Sequence, residues 1–353
     1  PLGDWLNNDI WPTEKQWVDE NFVRDGAELA IAEMIKSGTT CFADMYFFPE
    51  QTAQAALDAK IRCQISFPIF DFPTNWGIGP ADYFTKGLEL RDAFRGNNLV
   101  RICFGPHAPY TVSDECLKKI AVLAQEMDAQ IHIHLHETET EIEESIEKYG
   151  VRPIQRLMQL GLLSPLTQCV HMTQIDASDI EILQQSGAHV IHCPESNLKL
   201  ASGFCPVDTL LTAGINVALG TDGAASNNDL DLFSELKTAA LLAKAISKNA
   251  AALNAHTALR MATLNGAKAL GIEDCVGSLQ VGKQADITAI NFSDIEMQPV
   301  YNPASHLVYT NVGHRVSHVW VNGKCLMENR ELQTINEREL VVKVREWQEK
   351  IQL

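Results

Sequence analysis

A chain of 353 residues, 46% of them apolar, can fill one large core or two ordinary ones, so a globular protein is expected. Its 45 acidic residues outnumber 28 basic ones, and a formal charge of −17 repels phosphate backbones and anionic lipid, which argues against nucleic acid and membrane surfaces as partners. No apolar run approaches the roughly 20 residues that span a bilayer, the opening PLGDWLNNDIWPTE does not read as a signal peptide, and the 9 cysteines form no C-x-x-C pair. A cytoplasmic protein with small core cysteines in a reducing environment is expected.

The chain alternates short apolar stretches with amphipathic ones. Strands are expected at 39–45, 61–67, 99–105, 131–136, 168–172, 188–193 and 215–220, with helical patterns such as 22–36, 113–128 and 176–185 between them. Seven strand-then-helix units argue for parallel strands with crossover helices, an α/β fold of the (β/α)8 TIM-barrel type from which one strand is missing. Further along, 250–270 reads as a helix closed by Gly271, 275–292 alternates like strands, and 316–321 followed by Asn-Gly-Lys reads as a strand and hairpin turn. Stretch 331–353 is a charged amphipathic helix suited to pack on the barrel or on a partner. The expected division is a barrel over 1–274, a partial β-sandwich over 275–330 and a C-terminal helix over 331–353.

The most informative stretch is QIHIHLHETETE at 130–141. Ile131, Ile133 and Leu135 alternate with His132, His134 and His136, so a strand would send the apolar side chains one way and three imidazoles the other. Buried imidazoles need partners at their ring nitrogens, and a metal would supply one. Counted as though a strand preceded Pro1, the ends of strands four to eight carry His107, His134 with Glu137, His171, His192 and Asp222. Each alone reads as a hydrogen-bonded structural residue; the ordered series reads as an active site, because barrels keep their chemistry at the C-terminal strand ends. Asp222 lies in GTDGAASNN, which is either a tight turn or the seat of an aspartate acting as metal ligand and base.

The stretches FGPHAPYTVS (104–113), HLHETE (134–139), VHMTQ (170–174), HCPESNLKLASG (192–203) and GTDGAASNN resemble, in order and spacing, the amidohydrolase superfamily, in its branch of 5-methylthioadenosine/S-adenosylhomocysteine deaminases. The resemblance implies one zinc ion per subunit, with His134 and Asp222 among its ligands, and a small-molecule purine nucleoside as the partner of a homo-oligomer. It implies Glu137 as proton shuttle, His171 as the residue contacting the attacking water, His107 against the purine and, through WPTE, Glu14 on the ribose hydroxyls. The implied reaction is hydrolytic deamination of the adenine ring to the inosine analogue plus ammonia. The metal would lower the pKa of the attacking water from about 15.7 to about 7, and Asp222 would accept its proton.

One departure from the pattern stands out. The superfamily's first-strand His-x-His pair has no counterpart here, so the chain is expected to lack its beginning and to bind metal weakly, with His132 or His136 as substitutes. The arginine-free stretch IFDFPTNWGIGPADYFTKGLEL (69–90) offers Phe70, Phe72, Pro73 and Trp76 as an apolar wall, which favours methylthioadenosine over S-adenosylhomocysteine, or else these aromatics are core. Two alternatives remain: another amidohydrolase reaction, such as guanine deamination or triazine dechlorination, and a non-catalytic fragment.

Overall fold

The computed structural model of the protein describes residues 2–352. Seven strands form one parallel sheet in strict sequence order: β1 (Cys41–Met45), β2 (Arg62–Ile69), β3 (Val100–Pro106), β4 (Ile131–Leu135), β5 (Thr167–His171), β6 (His189–His192) and β7 (Val217–Leu219). Every boundary falls within two residues of its expected place. The strand sequences explain why: β2 and β5 are buried along their whole length, as strands covered by helices on one side and lining an interior on the other must be.

The sheet is curled. Laid flat, β2 and β5 would stand about 14 Å apart at about 4.8 Å per strand. Instead Gln64 Nε2 on β2 donates to Gln168 Oε1 on β5 at 3.0 Å, and Gln168 Nε2 donates on to Ala269 O at 2.8 Å. Among the described residues β1 and β7 are the two edges, and no eighth parallel strand joins them.

Helices lie outside this curl. Helix Pro80–Ala93 approaches β2 so closely that a Cβ on Gly87 would stand 2.2 Å from the Phe67 ring, which is why a glycine sits inside a helix. Helix Ala177–Ser186 opens with a capping box between Asp176 and Asp179.

The 250–270 stretch departs from expectation. It holds two short helices, Ala255–Met261 and Leu264–Ala269, because Asn254 caps the first one late and Thr263 leaves helical geometry between them. Gly271, at φ +64, follows the second helix.

A separate antiparallel sheet has the order β11-β10-β9-β8, with β8 at Ile287–Ile290, β9 at Val316–Val321, β10 at Lys324–Glu328 and β11 at Glu331–Leu332. The expected run of strands over 275–292 shrinks to β8. Gly277 and Gly282 turn the backbone at φ +86 and +98, and Lys283 Nζ donates to Val276 O, so 276–283 folds on itself instead of extending. Asn322 and Gly323, both at positive φ, make the two-residue hairpin between β9 and β10 that Asn-Gly called for.

Arg62 at the start of β2 bonds the Asp286 carboxylate through Nε at 2.8 Å, with both side chains under 10% exposed, and ties the small sheet to the N-terminal end of the curl. The last helix, Glu337–Gln352, packs on helix Glu20–Ser37: Trp347 meets Phe22 edge-on at 5.2 Å and donates to Asp25. Among the described residues no helix is long and apolar enough to cross a membrane.

Candidate active site

The C-terminal ends of β3 to β7 deliver side chains to one rim. Ring centroids trace the convergence: Phe70 to His107 4.8 Å, His107 to His134 5.1 Å, His132 to His134 5.9 Å and His134 to His171 5.7 Å. His171 Nε2 stands 3.6 Å from Glu137 Oε2. Asp222 follows β7, and its charge is felt at His134 and His171.

Backbone strain marks the same places. His136, His171, Met172 and Asp222 all hold positive φ, at 54°, 77°, 50° and 62°, a region that costs a residue with a side chain on the order of 1–3 kcal/mol and persists only where the surroundings impose it.

His134 owes its orientation to a carbonyl. Nδ1 lies 2.7 Å from His107 O, which can only accept, so Nδ1 carries the proton and Nε2 presents a lone pair. Burial, with His171 nearby, holds its pKa below the ordinary value, so the ring is neutral. His171 behaves oppositely: burial works to lower it, but the Glu137 and Asp222 carboxylates outweigh burial and its pKa is raised. Asp222 resists the upward push of burial through His171, a hydrogen bond from Ser196 Oγ at 2.7 Å, and Gly223 N, so its pKa is lowered and the carboxylate stays ionised.

Glu137 is held by its backbone, which leaves the side chain free to act. Its N–H donates to Glu141 Oε2 at 2.8 Å, and its carbonyl accepts from Thr173 Oγ1 at 2.7 Å. Glu141 also accepts from His136 N; burial pushes its carboxyl up to about 7 against the pull of those two N–H bonds.

Three imidazoles on one face was the expectation for β4, and the structure corrects it to two. His132 and His134 share the interior face, but positive φ at His136 breaks the alternation and turns that ring away. There Nδ1 meets Gln174 O and Nε2 accepts from Ile154 N, so neither nitrogen is left for a metal. His132 Nδ1 is buried without a partner, as is His192 Nδ1, and burial lowers both rings to about 3.

Glu14 lies at the far end of an aromatic chain. It accepts from Tyr46 Oη at 2.7 Å, Tyr46 contacts Phe47 at 5.2 Å, and Phe47 reaches Phe70 at 6.0 Å, beside His107. Asn75 Nδ2 pins this N-terminal segment by donating to Glu14 O and Val18 O. The apolar wall is smaller than expected: Trp76 is buried in the core, stacked on Tyr83 and donating to Glu50, and only Phe70 with the half-exposed Phe72 faces this side.

The donor set decides whether a metal suits the site. The neutral His134 with its free Nε2 and the ionised Asp222 are both apt ligands. Among the described residues, no group of three or more histidines, cysteines or acidic residues is placed to hold an ion.

A model of the amidohydrolase family matches residues 1–326. The chain belongs to the amidohydrolase family. A 5-methylthioadenosine/S-adenosylhomocysteine deaminase of Saccharophagus degradans is 60% identical over 352 residues, covering 100% of this chain and 79% of the relative. An adenosine deaminase of Xanthomonas campestris crystallised with zinc superposes with a TM-score of 0.98 at 46% identity, covering 100% of this chain and 80% of that one. An atrazine chlorohydrolase of Arthrobacter aurescens complexed with zinc follows at TM-score 0.92 and 26% identity, covering 98% of this chain and 82% of that one.

Within this amidohydrolase, four polar contributors escaped the sequence reading: Tyr46, Glu141, Ser196 and Asn197. The last two lie inside HCPESNLKLASG, where a serine and an asparagine opening a helix read equally well as capping residues.

Proposed function

We propose that this amidohydrolase deaminates the adenine ring of 5′-methylthioadenosine, giving the inosine analogue and ammonia. The observation that carries the reading is the convergence of His134, Glu137, His171 and Asp222 on one rim, in a chain 60% identical throughout to a methylthioadenosine/S-adenosylhomocysteine deaminase.

A zinc ion of the kind found in the related crystals would be held in part by His134 and Asp222, and when bound supplies a Lewis acid that lowers the pKa of the attacking water. The chain's own residues then have separate tasks. Asp222, held ionised by its Ser196 and Gly223 hydrogen bonds, accepts a proton from the water as its oxygen adds to C6. His171 holds the water against that carbon, its ring between the two carboxylates. Glu137 gives a proton to N1, so that the tetrahedral centre forms without charge building on the ring; the proton taken by Asp222 then passes to the amino group, and as the C6–N bond breaks and ammonia leaves, the C6 hydroxyl returns its proton to Glu137. His107, stacked on Phe70, would hold the purine, and Glu14, which accepts from Tyr46, would take the ribose hydroxyls.

The half-exposed Phe72 beside Phe70 suits a methylthio group, and 69–90 holds no arginine to clamp the carboxylate of S-adenosylhomocysteine. Full-length zinc-loaded protein should convert methylthioadenosine with a higher kcat/KM than S-adenosylhomocysteine, followed by the adenosine-to-inosine absorbance change and ammonia release. Preference for S-adenosylhomocysteine would reject the substrate, and turnover of guanine or a triazine in place of both nucleosides would reject the reaction.

A further inference from the structure

The stretch after β6 brings two neighbouring side chains to two different site residues. Helix Pro194–Lys199 starts at the end of β6, and Ser196 and Asn197 are both almost wholly buried, at 0% and 2% exposed. Ser196 Oγ donates to Asp222 Oδ2 at 2.7 Å, while Asn197 Oδ1 faces His171 Nδ1 at 2.9 Å. Asn197 Nδ2 is buried with no partner among the described residues, so there the side chain's one polar contact is with the imidazole.

The platform under these side chains is fixed. Asn197 N donates to Cys193 O and its carbonyl accepts from Ser202 N, closing the helix at both ends. Beneath it, the buried Glu235 carboxyl accepts from Glu195 N and from Asn227 Nδ2, and Asn227 in turn donates to Thr221 O next to Asp222. His171 needs such a support, because it sits at φ 77° and, among the described residues, its ring has no other hydrogen bond to decide which nitrogen faces Glu137.

We propose that Asn197 is a positioning residue that fixes both the ring orientation and the tautomer of His171. Its carboxamide oxygen accepts a hydrogen bond from Nδ1–H and leaves Nε2 turned toward Glu137 and the rim. A neutral acceptor does this without adding a third carboxylate to a site that already holds Glu137 and Asp222. The kinetic consequence rests on the deaminase reading above; the tautomer does not.

The test uses the full-length protein labelled with 15N-histidine, as wild type, Asn197→Leu and Asn197→Asp. Leucine is close in size and has no acceptor; aspartate keeps one. Wild type should show a protonated, pyrrole-type Nδ1 at His171, Asn197→Leu should lose that signature, and Asn197→Asp should keep it. In methylthioadenosine turnover, Asn197→Leu should lower kcat by about 10–100-fold, the usual effect of removing an orienting partner, with KM within about twofold, and Asn197→Asp should recover most of the loss. An unprotonated Nδ1 in wild type, meaning that the amide faces His171 with its nitrogen, would overturn the proposal. So would an unchanged His171 spectrum in Asn197→Leu, or equal kcat losses in both variants. Should wild type not deaminate methylthioadenosine at all, the functional reading fails and the 15N spectra still decide the role of Asn197.

Discussion

Glu235→Gln probes the support beneath the rim. Glu235 is fully buried, and burial together with the nearby Glu195 charge pushes its carboxyl up to about 9, against the pull of the Glu195 N–H and Asn227. In the unfolded chain the same group titrates at its ordinary value of 4.5. Between these values the native state holds a proton that the unfolded state has lost, so this group makes stability fall as pH rises from 4.5 toward 9. From pH 5 to pH 7.5 the fall is about 2.5 units at about 1.4 kcal/mol each, or about 3 kcal/mol. Glutamine cannot titrate, and it gives up one of the two accepting oxygens, costing about 1–3 kcal/mol at any pH. The variant should therefore be the less stable protein at pH 5 and should match or exceed wild type at pH 7.5. Urea unfolding of both proteins at the two pH values measures this, and other titrating groups cancel in the difference. A difference that stays constant across that range would refute the buried, protonated Glu235.

Three further outcomes are expected. Arg62→Met leaves Asp286 buried without its cation and should cost about 3–5 kcal/mol in denaturant unfolding; a loss below 1 kcal/mol would show that the pair does not tie the two sheets together. Gly87→Ala places a Cβ 2.2 Å from the Phe67 ring and should cost about 1–3 kcal/mol, read as a lowered unfolding midpoint, whereas helix propensity alone would raise it. Tyr46→Phe frees the Glu14 carboxylate and should change KM for methylthioadenosine without lowering kcat; an equal fall in kcat would place Tyr46 in the chemistry instead.

The parallel sheet was legible because each strand is an apolar run set between amphipathic helices, and burial on both faces leaves that pattern in the residues. The Asn-Gly hairpin was legible for a similar reason, since such a pair accepts two positive φ values in succession at little cost. What was not legible depends on single dihedrals. Nothing in HLHE shows that His136 takes φ 54° and leaves the face shared by His132 and His134. The break at Thr263 inside an alanine-rich stretch, and the folding of 276–283 on itself at Gly277 and Gly282, likewise turn on a few backbone angles. At the rim, the histidines at the strand ends, with Glu137 and Asp222, stood out in the sequence. Those that hold them, Glu141, Ser196 and Asn197, did not, because a hydrogen bond made through the fold has no fixed spacing along the chain.

The claim at the centre is that groups carried by separate strand ends act on one substrate. Its most direct test is ammonia release from methylthioadenosine by full-length wild type and by His134→Ala, Glu137→Gln, His171→Asn and Asp222→Asn, side by side. The account predicts that each variant loses at least about 100-fold in kcat/KM with its far-ultraviolet circular dichroism unchanged. A folded variant that turns over at the wild-type rate would contradict it.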